Sequence, residues 1–571
     1  MLHLRNHTYY NFVIDSVVLI FLFTIFYTLF LGSYPLFTPD EARYSEVARE
    51  MIVRGDYITP RVNDMIFLDK PILHYWLQTL SIHWFGVKEW ALRFFPALFG
   101  IMGCLVTYLC GRILFDRRTA LLASLILATT PLYFGGAHYA NLDLEVAVLL
   151  GSTLHFFITA VNKEAVRKKI LFAAYCSAAL AFLTKGLIAI AFPVLIIGIW
   201  ILLSQRRELL KKIHLFEGGL IFLFITLPWY VAVQKENPGF FYYFFIEEHV
   251  TRFLSLAAFN NKMPFWFYVP VILIGMFPWT IFLFQAIYHA IKKIYFEKNQ
   301  HLVELFLFIW ASVIFVFFSI PHSKIVGYIL PIFPPLALLI GRYLSHLFNH
   351  PSQKINRWNS IYFIFFGLLF TSLLFILPHK NLIHFTPPFI FYLKIIAMIV
   401  MMSVFFVFLN MENLILLLVS CILCNVLLLL TLTYGAAYLN IDSIKPLLET
   451  AKNYIKPGDE IVAYFKYYYD IPLYLGRTVT VVADWNATDI MKRDNWRREL
   501  WRGMELQKTN SLLINEKIFW QHFQNKRRVF VFLSEKNFPQ FKLQATHYSI
   551  LGKYKDTILL ANQDISPSRK D

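Results

Sequence analysis

Apolar runs of about 20 residues recur along the chain, each roughly the length a helix needs to cross a ~30 Å hydrocarbon core. Residues 17–37 hold no charged side chain, and Glu412 is the only one within residues 411–434. The pattern predicts about 13 spans, starting near residues 17, 91, 118, 141, 168, 186, 216, 264, 302, 324, 359, 387 and 411. No charged start with a small-residue cleavage pattern precedes residue 17, so the first span is expected to stay as a signal anchor. Residues 36–90 are too polar to span, yet they repeat apolar side chains at helical spacing. Tyr44, Val47, Ala48 and Met51 mark one face, and Ile72, Tyr75, Trp76 and Thr79 another. These predict helices lying in the interface, where Tyr and Trp rings also settle. From about residue 440 the period changes: IVAYF, TVTVVAD, RVFVFL and DTILLA are short β-rich runs separated by YYYDIPLYLG and EKNFPQF. The expected architecture is a polytopic α-helical membrane domain over residues 1–437, with interfacial helices, followed by a small soluble α/β domain over residues 438–571.

Composition agrees with the pattern. Over 571 residues the chain is 58% hydrophobic and 16% charged, with a mean hydropathy of +0.54, which excludes an ordinary soluble protein. A net charge of +17 would suggest nucleic acid in a soluble protein, but here the charge follows topology. With a cytoplasmic N-terminus, the inside loops hold Arg112, Arg117 and Arg118; Lys163, Arg167, Lys168 and Lys169; Arg206, Arg207, Lys211 and Lys212; Lys292, Lys293 and Lys298; Arg342, Lys354 and Arg357. That alternation obeys the positive-inside rule and leaves no call for a nucleic-acid partner. Cys104, Cys110, Cys176, Cys421 and Cys424 all lie in apolar spans, so neither a disulfide framework nor a cysteine zinc site is expected.

The opposite loops and the tail then lie outside the cytoplasm. They carry FTPDEARYSEVAREM, FLDKPILHYWL, AHYANLDLEV, LTKGL, FFIEEHVTRFL and IPHSKIVGYILP, and with them nearly all of the acidic residues outside the tail and the basic loops. Carboxylates at membrane depth are costly, so such a gathering reads as a site; the alternative is a merely solvated face. Thr38, Pro39 and Glu41 form a capping-box pattern that gives Glu41 a structural task. Asp40 needs no such role beyond first-turn charge complementarity. Arg43, Glu46 and Glu50 follow at helix-pair spacing. Lys70, beside Asp69 and just before Pro71, opposes a helix dipole, which points to a phosphate, with snorkelling toward headgroups as the alternative. Asp143 and Glu145 stand at the outer end of a span. Among Glu247, Glu248, His249 and Arg252, the histidine with Asp69 could bind a divalent cation. Lys324 and Tyr328, four apart, could reach the same phosphate.

The tail holds no Gly-rich phosphate loop, HExxH or GxSxG, so bond-making is not expected there. Its basic stretch KRDNWRRELWRG faces either anionic headgroups or solvent. Carboxylates, cations for a phosphate and interfacial helices together fit group transfer from a lipid-linked phosphate donor outside the cytoplasm. Without a nucleotide-binding motif, the coherent donor is a polyprenyl-phosphate sugar.

The ordered set PDEARYSEVAREM, LDKPILHYWL, NLD, FFIEEHVTRF with PFWFYVPV and PW, and SKIVGYILPIFPPLALL resembles the ArnT-like branch of the polytopic glycosyltransferases related to protein O-mannosyltransferases. The likeness covers roughly the first 345 residues and extends more loosely through YYYDIPLYLGRTVTVV. It implies a GT-C type fold that moves 4-amino-4-deoxy-L-arabinose from undecaprenyl phosphate to lipid A on the periplasmic face of the bacterial inner membrane. By position it implies Asp40 and Asp143 as catalytic carboxylates, supported by Glu41 and Arg43. Lys70, Arg252, Tyr328 and Lys324 would bind the donor phosphate, and Asp69 with His249 would hold zinc. The family usually has Glu where Asp69 stands, and His322 and Ser323 depart from a glycine-containing motif. An anionic lipid A phosphate needs no general base, whereas a hydroxyl acceptor would use Asp40 as one. Transfer of a polyprenyl-phosphate hexose to protein or polysaccharide is the second enzymatic reading. A lipid-linked sugar transporter or sensor would instead show mid-span charges or inverted repeats, and no clear repeat is seen.

Overall fold

A computed structural model describes the chain except residues 1, 164, 252–261, 380–386, 440–441, 488–489, 491–494, 509–510, 526 and 566–571; the side chains of 2–9, 249–251 and 377–379 are likewise outside the description. The chain forms two compact units, one of Met1–Tyr34, Arg93–Tyr230 and Asn261–Asn440, the other of Pro35–Leu92, Val231–Asn260 and Ile441–Asp571. The division differs from a single cut at 437/438: the loop helices belong with the tail.

The first unit is a helical membrane bundle. Among the described residues, nine helices are long and apolar enough to span, or eleven if each of two bent pairs counts as one span. The expected count of about 13 rested on apolar length alone, and some of those runs form shorter helices such as Ile188–Ser204. Leu142–Val161 is the buried centre, whereas Gln353–Ile376 is 28% buried and turns its apolar side chains outward, as lipid requires. The first span is Tyr10–Thr28 rather than 17–37. Asp15, which the charge-free run 17–37 leaves outside the span, sits inside it and takes hydrogen bonds from Tyr108, Arg112 and Arg117. Arg93, fully buried, donates to the carbonyls of Leu31 and Tyr34 at 3.1 and 3.0 Å and fixes the end of that span.

Two spans are broken. Arg117–Ala128 and Pro131–Ala137 meet at 64°, and Phe265–Gly275 and Thr280–Gln300 at 113°, each break falling beside a proline that cannot continue the ladder. The freed carbonyls share one donor: the Asn425 amide, fully buried in Leu414–Gly435, reaches Thr129 O at 2.7 Å and Phe277 O at 2.9 Å.

In the second unit, helix Asp40–Arg54 buries Tyr44, Val47, Ala48 and Met51 as their spacing predicted, but also Glu46, Arg49 and Glu50 on its charged side. The Glu46 carboxylate accepts two bonds from Arg49, and Glu50 accepts the Asp64 N–H. A hairpin of β1 (Arg61–Val62) and β2 (Met65–Ile66) turns through Asn63 and Asp64, both at positive φ, a conformation these two residue types tolerate. Asn63 bonds both backbone groups of Val479, at 2.8 and 2.7 Å. The tail is the α/β layer expected, with β3 (Glu460–Tyr464), β4 (Thr480–Val482), β5 (Leu513–Ile514), β6 (Val529–Ser534), β7 (Ser549–Tyr554) and β8 (Thr557–Ala561) in the order β5-β4-β3-β6-β8-β7. The β5-β4-β3-β6 part is parallel, and buried apolar clusters cover both of its faces, as parallel sheets require.

Candidate functional site

The membrane unit places Asp143 in the first turn of Leu142–Val161, where the Asn141 side chain caps the Asp143 N–H at 3.0 Å. Its carboxylate pairs with Lys185, the last residue of Lys168–Lys185. The ammonium also lies 4.2 Å from the centre of the Tyr328 ring. Gly327 completes the arrangement, because a Cβ there would overlap the Asp143 carboxylate. The structure thus joins Asp143 and Tyr328 through Lys185, which the sequence reading quoted only within LTKGL. Its signal was a cation at the outer end of an apolar span. Glu145, one residue beyond Leu144, is fully buried. Lys324 goes elsewhere: it is 4% exposed and donates to the carbonyls of Met263 (3.3 Å) and Pro321, bracing the segment before Gly327. Burial pushes its ammonium pKa down. As placed, it serves the backbone rather than a phosphate.

The second unit holds the other candidates. Helix Asp40–Arg54 starts without a Thr38 cap; the Thr38 hydroxyl donates instead to Asp442 O at 2.8 Å. Half of the expected capping box survives, displaced by one residue, as Glu41 accepts the Phe37 N–H at 2.7 Å and is itself fully buried. Asp40 accepts from Arg43 Nη2 at 2.6 Å, and Arg43 Nη1 donates to Glu499, whose other oxygen takes the Tyr469 hydroxyl at 2.6 Å. The guanidinium lies 5.1 Å from the Tyr44 ring and 5.7 Å from those of Phe67 and Tyr469. Burial opposes the charge, yet Glu499 and Asp40 hold the Arg43 pKa well above its ordinary value.

Asp69, Tyr243, Glu247, Glu248, Arg498 and Arg502 line a small recess of about 30 Å³, room for a water. Tyr243 donates to Asp69, and burial, together with Asp69, pushes its phenol up so that it stays a donor. Arg502 pairs with Glu247, and Lys70 Nζ lies 3.1 Å from the Asp69 carbonyl. KRDNWRRELWRG was expected to face headgroups or solvent; its helix Trp496–Gln507 instead packs on β2, with Glu499 and Arg502 turned to these loops. Among the described residues no three His, Cys, Asp or Glu side chains converge as metal ligands. Asp69 already accepts from a phenol, and two guanidiniums line the same recess, so the described groups alone do not build a zinc site. Arg252 and the His249 side chain lie outside the described residues.

Comparison with known proteins follows these motifs. Residues 69–231 match the dolichyl-phosphate-mannose-protein mannosyltransferase family. An undecaprenyl phosphate-alpha-4-amino-4-deoxy-L-arabinose arabinosyl transferase of Enterobacter sp. is 35% identical over 353 residues, 60% of this chain and 62% of the relative. One of Proteus mirabilis is 33% identical over 62% of this chain and 64% of its own length. The matched segment thus spans a little over three-fifths of these relatives. The crystal structure of ArnT from Cupriavidus metallidurans bound to undecaprenyl phosphate superposes with a TM-score of 0.80 at 24% identity, covering 96% of this chain and 98% of that one. An oligosaccharyltransferase of Archaeoglobus fulgidus shares the architecture more distantly, at a TM-score of 0.50 and 12% identity over 93% of this chain and 71% of that one. By motif order the chain is similar to these arabinosyl transferases, and by fold it is a multi-pass helical membrane protein with the architecture of the ArnT crystal structure.

Proposed function

We propose that the chain is a glycosyltransferase that moves 4-amino-4-deoxy-L-arabinose from undecaprenyl phosphate to lipid A, in the bacterial inner membrane, with its C-terminal domain periplasmic. The observation that carries this reading is the Asp143–Lys185–Tyr328 cluster at helix ends, in a chain whose relatives bear that activity in their names. In the reaction an acceptor phosphate oxygen attacks the anomeric carbon. The bond from that carbon to the donor phosphate breaks, and undecaprenyl phosphate leaves. Lys185, Tyr328, Lys70 and Arg252 offset the charge growing on the leaving phosphate. Asp40 and Asp143 steady the sugar amine and the positive charge developing at the anomeric carbon. Zinc on Asp69 and His249 is a separate proposal, settled by elemental analysis of the purified protein, and no step above uses it.

A second reading, transfer of a polyprenyl-phosphate hexose to protein or polysaccharide, draws on the mannosyltransferase match over residues 69–231. Mass spectrometry of lipid A and of envelope proteins from cells with and without the gene separates the two. A lipid A increment supports the first and a hexose on protein or polysaccharide the second. No change in any of them leaves the transporter or sensor reading.

A further inference from the structure

We infer that Glu499, on the C-terminal domain's helix Trp496–Gln507, is a positioning residue for Asp40, acting through Arg43. The inference rests on Asp40 being a catalytic carboxylate. An isolated carboxylate and arginine three apart on a helix make a weak pair that samples many geometries. Arg43 lacks that freedom. One terminal nitrogen bonds Asp40, the other bonds Glu499, and the plane between them lies beside the rings of Tyr44, Phe67 and Tyr469. A planar guanidinium held at both ends presents its bond to Asp40 in one direction.

Glu499 is itself fixed. Tyr469 donates to its second oxygen at 2.6 Å. Four residues on, Gly503 lets the helix approach β2 so closely that a Cβ would meet Ile66 O at 2.6 Å and Met65 Cβ at 2.8 Å. Arg502, on the same helix, pairs with Glu247. The carboxylate also divides the Arg43 charge between two anions, so Asp40 is not fully neutralised by its neighbour. Without Glu499, Arg43 turns wholly to Asp40, and the tail loses its hold on the carboxylate's direction. A domain with no phosphate loop or nucleophile motif of its own would then serve the reaction by aiming a residue 459 positions earlier in the sequence, the separation between Asp40 and Glu499.

The test uses full-length protein in lipid nanodiscs with undecaprenyl-phosphate aminoarabinose and lipid A. Glu499→Gln keeps the size of the side chain and can still accept from Tyr469 and Arg43. We expect kcat to fall about tenfold, less than the roughly 10²-fold cost of a full misplacement, with the donor KM within about twofold. In an Arg43→Ala background the same substitution should cost nothing further, since its route to Asp40 is gone. Glu499→Asp should recover part of the rate. An unchanged kcat, or equal losses in both backgrounds with a lowered melting temperature, overturns the inference. Asp40→Asn is run beside them: if it is as active as wild type the catalytic reading fails, whereas an inactive Asp40→Asn with a fully active Glu499→Gln removes only the role of Glu499.

Discussion

Lys185 closes an ion pair on Asp143, tying the last residue of one helix to the first turn of the helix that precedes it in the chain. A carboxylate at that position benefits from the helix dipole and from the ammonium, and the Tyr328 ring faces the same cation. Replacing Lys185 by Met keeps the stem and removes the charge. Transfer should fall by about 10²-fold or more, while the protein still assembles in membranes. An assay of sugar transfer alongside membrane yield checks both.

Gly327 tests the same cluster from the backbone side. A methyl group there overlaps the Asp143 carboxylate, so Gly327→Ala must displace Asp143 or the segment carrying Tyr328. Activity should drop by about tenfold or more, and the Asp143→Asn, Gly327→Ala double variant should be no worse than Asp143→Asn alone. Additive losses in the double variant would separate the two positions.

Asn425 is expected to matter for stability rather than chemistry. Asn425→Leu leaves the Thr129 and Phe277 carbonyls without their shared donor, at about 1–3 kcal/mol for each group left unsatisfied. Thermal unfolding in detergent should move down clearly, with the activity per folded molecule retained.

Asp470 gives the tail a pH dependence. It is buried, and desolvation pushes its carboxyl up to about 6 although Ser443 and the Ile444 N–H donate to it. Unfolded, the group titrates near ~3.9. Between these values the folded state keeps a proton that the unfolded state has released, so stability falls as pH rises through that window and is level above it. The fall amounts to at most about 3 kcal/mol. Asp470→Asn cannot titrate, and the variant's stability relative to wild type should rise between about pH 4 and pH 6.5. Parallel melting curves across that range would contradict the assignment.

What could be read from the sequence was whatever has a local period or a local pattern. The apolar face of Asp40–Arg54, the buried runs of the α/β tail and the membrane helices follow from spacing alone, and the ordered motifs singled out Asp40, Asp69, Lys70 and Asp143. Pairings across long separations were not legible. Nothing near Arg43 announces Glu499, and nothing in KRDNWRRELWRG distinguishes a helix docked on β2 from a solvated one until Gly503 is seen against Ile66. Thr38 has the residue type of a cap but bonds Asp442, and Lys324 has the residue type of a phosphate ligand but bonds carbonyls. In each case a partner distant in sequence outcompeted the local rule. Asp15 is the same lesson within the membrane: its charge broke the apolar run that marked the span, and its arginine partners lie on two other helices.

Reconstituted protein shows whether Asp40 and Asp143 carry sugar transfer from undecaprenyl phosphate to lipid A. With undecaprenyl-phosphate aminoarabinose and lipid A, wild-type protein should add one aminoarabinose to lipid A by mass. Asp40→Asn and Asp143→Asn should each slow that addition by about 10²-fold or more. Lipid A left unmodified by the folded wild-type protein would rule out the proposed transfer, and modification at the wild-type rate by Asp40→Asn would rule out a catalytic role for Asp40.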